Sequence, residues 1–371
     1  MKLPKYYIKF DAVPGIPRGI FEEGRDAANK FGFRTNEYYL SLIDWNDPND
    51  PIRKIIIPQK DELEEWGFID PSQESTFTKQ PGLQHKYPPT ALMLVNNFCG
   101  SFCRFCFRKR IFMKDNKEID WNFDHHYKYI LGHKEIDNVL LTGGEPLLLP
   151  TKKLNEILEN LSKIPHVESI RIGTKLVAFN PIKLLADDDF FSVVNKFSKS
   201  SKRLYFILHF NHPKELTPYS LEVIEKLRNL GAILCCQTPV LKGINDRPEA
   251  LNDLFRKLTN LGIVPYYVFQ CRPTIGNKPF ALPLEESYRI FTESRKGLSG
   301  LAKRARFIIS SRFGKVMVSG IDDEKIVFQY HMAVDLDRNG KTIICKRNPK
   351  AYWLDDYPDF LNEAEGTMLG Q

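Results

Sequence analysis

Ala91-Leu92-Met93-Leu94-Val95-Asn96-Asn97-Phe98-Cys99-Gly100-Ser101-Phe102-Cys103-Arg104-Phe105-Cys106-Phe107-Arg108-Lys109-Arg110 is the stretch from which the fold is read. A short apolar run, Ala91–Val95, leads directly into Cys99, Cys103 and Cys106, separated by three and then two residues. Three thiolates can hold three irons of a [4Fe–4S] cube, leaving the fourth iron without a protein ligand. Zinc is the competing reading, but structural zinc takes four ligands from paired clusters, and no second Cys or His pair lies nearby. Seven cysteines, with three inside eight residues, point to metal ligation in a reducing compartment rather than to a disulfide framework. Cys235, Cys236, Cys271 and Cys345 read as small buried apolar residues with no ligand role.

Outward from the cysteines, short apolar strands alternate with helix-length amphipathic segments, the pattern of βα units on a parallel sheet. Strands are expected at Ala91–Val95, Asn138–Leu141, Ser169–Ile172, Leu204–His209, Ile233–Gln237 and Val264–Gln270, with helices at Lys152–Ser162, Ile182–Phe197, Ser220–Leu230, Glu249–Leu261 and Leu284–Gly297. Six repeats fit a partial (β/α)6 barrel over residues 89–300. Residues 1–88 read as an N-terminal helical extension broken by turns such as Asn46-Asp47-Pro48-Asn49-Asp50-Pro51. Residues 301–371 read as a C-terminal segment, strand-like at Phe307–Ser310 and Lys315–Val318 and irregular beyond. The formal charge of +7 is dispersed rather than gathered in a basic block, which argues against a nucleic-acid partner. No apolar run approaches the roughly 18 residues a membrane span needs, so a cytoplasmic protein without a membrane partner is expected.

In a (β/α) barrel the reacting groups gather at the C-terminal strand ends, and unusual residues fall there. The second strand runs into Thr142-Gly143-Gly144-Glu145-Pro146, the third into Arg171-Ile172-Gly173-Thr174-Lys175 and the fourth into His209-Phe210-Asn211-His212-Pro213; Gln237 ends the fifth and Arg272 follows the sixth. Singly, the glycines could make a tight turn, the histidines could be structural and Gln237 a cap. Their common placement favours a site.

The cysteine spacing, with the aromatic Phe105 before the third Cys, resembles the radical S-adenosylmethionine (SAM) superfamily. Asn49-Asp50-Pro51-Ile52-Arg53-Lys54, Gly82-Leu83-Gln84-His85-Lys86-Tyr87-Pro88, Cys106-Phe107-Arg108-Lys109-Arg110, His209-Phe210-Asn211-His212-Pro213, Gly243-Ile244-Asn245-Asp246 and Pro265-Tyr266-Tyr267-Val268-Phe269-Gln270-Cys271 resemble, in order, the lysine 2,3-aminomutase family. That resemblance implies an isomerase that exchanges an α-amino group with a β-hydrogen, using a [4Fe–4S] cluster, SAM and pyridoxal phosphate (PLP). It implies cluster ligation by Cys99, Cys103 and Cys106, and SAM binding around Gly143, Gly144, Glu145, Lys175, His209 and Gln237. It also implies a substrate α-carboxylate on Arg108, whose planar fork suits bidentate contact, and Lys315 as the PLP Schiff-base lysine, with Gly314 admitting the ring.

There are departures. A glycine-rich run before the PLP lysine is replaced by Ser310-Ser311-Arg312-Phe313, and the two arginines expected at the PLP phosphate are Lys86 and Thr90. A zinc cluster is not expected, since its partner position after Asp246 is Arg247 and only Cys345 occurs late in the chain. Arg272 stands where lysine-specific enzymes carry an aspartate for the substrate ammonium, so a glutamate-like substrate is expected, with Arg272 in substrate binding. Open alternatives are a PLP-independent radical SAM enzyme, a true L-lysine 2,3-aminomutase and a non-catalytic iron–sulfur or zinc protein. Implied partners are a small amino acid and a reductant such as flavodoxin or ferredoxin, with room for a homo-oligomer.

Overall fold

The computed structural model describes residues 2–113 and 118–366. Near the N-terminus β1 (Tyr6–Tyr7) and β2 (Thr35–Asn36) form an antiparallel ribbon. Next in sequence come β3 (Thr78–Gln80), β4 (Leu83–Tyr87), β5 (Thr90–Asn96), β6 (Asn138–Gly143), β7 (Ser169–Thr174), β8 (Arg203–His209) and β9 (Ile233–Pro239). They are followed by β10 (Val264–Phe269), β11 (Arg306–Ser311), β12 (Gly314–Ile321), β13 (Lys325–Ala333) and β14 (Thr342–Lys346). All twelve from β3 to β14 lie in one sheet in sequence order.

Strands β5 to β11 pair in parallel. Their helices occupy Thr151–Ser162, Asp188–Ser198, Pro218–Asn229, Pro248–Asn260 and Leu284–Ser294. The first of these buries Leu154, Ile157, Leu158 and Leu161, a stripe at helical spacing that must face the sheet to leave water. One expected helix, Ile182–Phe197, is two, Pro181–Leu185 and Asp188–Ser198. The break comes at Asp187, whose carboxylate caps the second helix by accepting from the Phe190 N–H at 3.0 Å.

Three differences concern the ends. The parallel array has a seventh strand, β11, beyond the six expected. The N-terminal extension is not all helical: β3 and β4 form a hairpin antiparallel to β5, turned at Pro81-Gly82, where Gly82 has φ +82°. Proline followed by a positive-φ glycine is the composition of a type II turn. The tail beyond Val318 is not irregular: β12, β13 and β14 continue the sheet as an antiparallel meander, and Pro358–Gly366 is helical. Thus the sheet crosses residues 88/89 and 300/301 without interruption. It also curls, for Lys86 of β4 donates to the Ser311 carbonyl at the end of β11 and Ser72 Oγ to that of Ser310 at 3.0 Å. No helix among the described residues is long and apolar enough to cross a membrane.

Candidate active site

The curl encloses a cavity of about 350 Å³. Cys99, Cys103, Cys106, Arg108, Gly143, Gly144, Glu145, Lys175, His209, Gln237 and Arg272 line it, as do Lys86 and Lys315 from the antiparallel flanks. All thirteen residues singled out by sequence are therefore brought to one space.

The cysteine loop is shaped by the N-terminal extension. Arg34 Nε donates to the Cys99 carbonyl (2.7 Å), Asn36 Nδ2 to that of Gly100 (3.1 Å), and the Phe102 and Arg104 amides donate to Arg34 and Ile55 carbonyls at 2.8 Å each. Arg104, inside the motif, is fully buried against the equally buried Glu62, with Nη2 to Oε2 at 2.8 Å. A buried pair of this kind holds geometry, because neither charge can leave without stranding the other. Burial pushes all three thiols up; iron, by favouring thiolate, would reverse that. Among the described residues no three His, Cys, Asp or Glu side chains converge to clasp a single ion, whereas a cube spreads its ligands over three irons. The donor set fits a cluster.

Gly143 and Gly144 are needed for a reason the sequence did not reveal. A Cβ at Gly144 would lie 2.3 Å from the Phe98 carbonyl oxygen, and one at Gly143, where φ is +113°, 2.6 Å from that of Asn96. The glycines admit the root of the cysteine loop, not only a ligand. Glu145 is buried, its carboxylate accepting from Thr174 Oγ1 (2.7 Å) and from the Lys175 and Leu147 amides. Burial pushes it up to about 7. Lys175 donates to Glu215 (2.5 Å) and Asn211 Oδ1 (2.8 Å). His209 is held near Asn211 (3.1 Å), and burial, followed by Lys175, keeps its pKa well below the usual range, so it is neutral. Gly314, beside Lys315, likewise answers to protein: a Cβ there would meet the Met332 carbonyl oxygen at 2.2 Å.

Arg108 differs most from expectation. Its Nε and Nη2 already make a bidentate bond to Glu74, at 3.0 and 2.7 Å, and Nη1 lies 3.3 Å from Thr142 Oγ1. Glu74 also accepts from Arg110 at 2.7 Å. It is buried, and Arg108 followed by Arg110 and Arg272 outweigh burial to hold its carboxyl well below the ordinary range. Arg272 stacks on Phe107, 3.7 Å from the ring centroid, and its buried Nη1 has no hydrogen-bond partner among the described residues. Glu285, a conceivable partner, is engaged by Arg347 at 3.0 Å. Lys315 sits over Tyr87 at 4.2 Å. Burial, then Arg171, Lys86 and Arg272, lower its pKa to about 7, and burial lowers that of Lys86 equally. An amine neutral near pH 7 can condense with an aldehyde, so Lys315 fits PLP.

Sequence reading missed Glu74, and it quoted Arg171 at the end of the third strand without giving it a role. Arg171 had a signal, as the single charge between Ile170 and Ile172 in an otherwise apolar strand; Glu74, on a short turn of helix, had none.

The Radical SAM superfamily profile matches residues 93–255. A "Putative L-lysine 2,3-aminomutase" of Aquifex aeolicus is 47% identical over 367 residues, 99% of this chain and 98% of that one. The L-lysine 2,3-aminomutase of Clostridium subterminale is 35% identical over 71% of this chain and 62% of its own. The glutamate 2,3-aminomutase of Clostridioides difficile is 34% identical over 75% and 65%. With this cavity and that full-length similarity, the chain belongs to the lysine 2,3-aminomutase family of radical SAM enzymes, whose cofactors are a [4Fe–4S] cluster, SAM and PLP.

Proposed function

We propose that this enzyme is a 2,3-aminomutase whose substrate is an acidic, glutamate-like amino acid. The observation that carries the substrate class is Arg272, a cavity-lining guanidinium on Phe107 with an unpaired Nη1. The nearby acid, Glu74, is committed to Arg108 and Arg110. Percent identity does not by itself assign the substrate: a putative lysine enzyme stands at 47%, and the named lysine and glutamate enzymes at 35% and 34%. The charge of the cavity supports an acidic one.

When bound, the cluster and SAM would supply the radical chemistry for hydrogen abstraction, and PLP would supply the carrier for the migrating amino group. The chain's own residues do the rest. Cys99, Cys103 and Cys106 present three sulfurs to the cavity, and Gly143, Gly144, Glu145, Lys175, His209 and Gln237 form the SAM wall beside them. Arg108, fixed by Glu74, offers Nη1 to the α-carboxylate, and Arg272 takes the side-chain carboxylate. Lys315 provides the amine that anchors PLP, with Lys86 nearby. Walls of apolar and aromatic side chains keep water from the radical. A one-electron donor such as reduced flavodoxin or ferredoxin would supply the electron that the cluster needs, in a cytoplasmic setting that keeps the cysteines reduced.

A lysine ammonium about 4 Å from Arg272 would be repelled by roughly 4 kcal/mol at an effective dielectric of 20, several hundredfold or more in binding. Kinetics on lysine, glutamate and aspartate test this with wild type and Arg272→Asp. Wild type should favour an acidic substrate and the variant should lose that preference. Robust lysine turnover by wild type, unchanged by the substitution, would overturn the reading.

A further inference from the structure

We propose that Arg171 is the principal anchor for the phosphate monoester of PLP, a role that rests on the family's use of that cofactor. Arg171 lies in the middle of β7, between Ile170 and Ile172, which point the other way into the core. Strand alternation therefore turns Arg171 inward, and it lines the cavity together with Lys315 and Tyr267. Its Nε is buried and has no hydrogen-bond partner among the described residues. A buried guanidinium nitrogen without an acceptor is costly, and a phosphate oxygen would satisfy it with a charge-assisted bond. Asp137, the acid whose field reaches Arg171, accepts instead from Asn138 Nδ2 at 2.7 Å.

Depth separates this anion from the substrate's. Arg108 reaches Thr142 Oγ1, which lies 3.7 Å from the place a Cβ would take on Gly173. Gly173 is two residues along β7 from Arg171, or about 6–7 Å of strand nearer the cysteine loop. The substrate carboxylates must lie at that upper level, within reach of the radical source. An anion drawn to Arg171 lies below them, on the side of Lys315, for which Arg171 is the strongest neighbouring charge. A group condensed with Lys315 and ending in a phosphate spans these two places. Lys86, at the foot of β4, supplies a second nitrogen donor, and Thr90 Oγ1 is engaged by Asn138 Oδ1 at 3.2 Å.

Pyridoxal, which lacks the phosphate, provides the control. Binding of PLP and of pyridoxal is measured as borohydride-trapped Lys315 adduct for wild type, Arg171→Lys and Arg171→Met, with melting curves and cluster content as checks of folding. Arg171→Met should weaken PLP by about 10–100-fold, the worth of a charged hydrogen bond, and leave pyridoxal nearly unchanged, with Arg171→Lys between. Equal losses for both aldehydes, or no loss for PLP, would overturn the assignment. If the Met variant does not fold, the Lys variant decides by the same ratio. A wild type that forms no Lys315 adduct with PLP would overturn the cofactor's attachment as well, and is recognised before any variant is made.

Discussion

Replacing Glu74 perturbs the site at the point where its charges are most tightly coupled. The carboxylate is buried, accepts two bonds from Arg108 and one from Arg110, and lies in the field of Arg272. Removing one partner of a buried pair typically costs about 3–5 kcal/mol, because the remaining charge is left uncompensated; here Arg108 would be left, while Arg110 keeps Glu118 at 2.8 Å. Against a total stability of about 5–15 kcal/mol, Glu74→Ala should lower the melting temperature of the reconstituted enzyme by roughly 5–10 °C. Glu74→Gln keeps the shape and one acceptor, so it should lose less. The carboxyl is held below its unfolded value, so its stabilisation is full above the unfolded pKa and lost as pH falls through the folded one. The gap between wild type and Glu74→Gln should therefore narrow in acid. The same variants should raise KM more than they lower kcat, since Arg108 loses its brace before it loses its place. Melting within 1 °C of wild type for Glu74→Ala, or a gap that widens in acid, would refute the reasoning.

Replacing Cys99, Cys103 or Cys106 with Ala should abolish cluster absorbance and SAM cleavage; a single variant retaining both in full would remove that cysteine from the ligand set. Gly144→Ala drives a methyl into the Phe98 carbonyl, whose oxygen lies 2.3 Å from the new Cβ, and overpacking of this kind costs about 1–3 kcal/mol. Reduced cluster content at near-native fold is the expected result, and full cluster loading would show that the loop can retreat. Lys315→Met should stabilise the cofactor-free protein below about pH 7, where wild type carries the penalty of a buried ammonium. Because the folded pKa lies below the unfolded one, that penalty declines between about 7 and 10.5, so the two melting curves should converge as pH rises; a constant offset would show that the penalty is not ionic.

The βα core was legible because it is written locally. Ile170 and Ile172 alternate in a strand, Leu154, Ile157, Leu158 and Leu161 recur at helical spacing, and the cysteine motif sits where such strands end. The β3–β4 hairpin was also written, in Pro81-Gly82, but the turn was hidden in a region read by its helical stretches. The meander of β12 to β14 was legible only in part. Burial alternates along Lys325-Ile326-Val327-Phe328-Gln329-Tyr330, but apolar Val327 between Ile326 and Phe328 obscures that period in the sequence; Asp322 makes the turn by accepting from the Glu324 and Lys325 amides at 2.8 and 2.7 Å. Which partner covered each feature was not legible. A glycine run announces close approach, but nothing local states that Phe98 approaches Gly144 or that Met332 approaches Gly314. Nor does spacing connect Arg108 to Glu74, 34 residues earlier on a short turn entered through Gln73 at φ +49°.

Charge matching across the whole cavity draws the two proposed ligands together. Lys175 is balanced by Glu215, and Arg108 and Arg110 share Glu74. No ion pair among the described residues involves Lys86, Arg171, Arg272 or Lys315, although all four line the same enclosed space. Burial first, and then the neighbouring charges, lower both lysines to about 7, so they can lose their protons. Arginines cannot do so near neutrality, so Arg171 and Arg272 must find anions in whatever the cavity binds. One lies mid-strand beside Lys315, where a phosphate tethered to that lysine reaches. The other follows β10 at its end, near the level of Arg108, where an amino acid already bound by its α-carboxylate would present its side chain. A neutral or cationic side chain would leave Arg272 unsatisfied, so the arginine that repels lysine also rewards a second carboxylate.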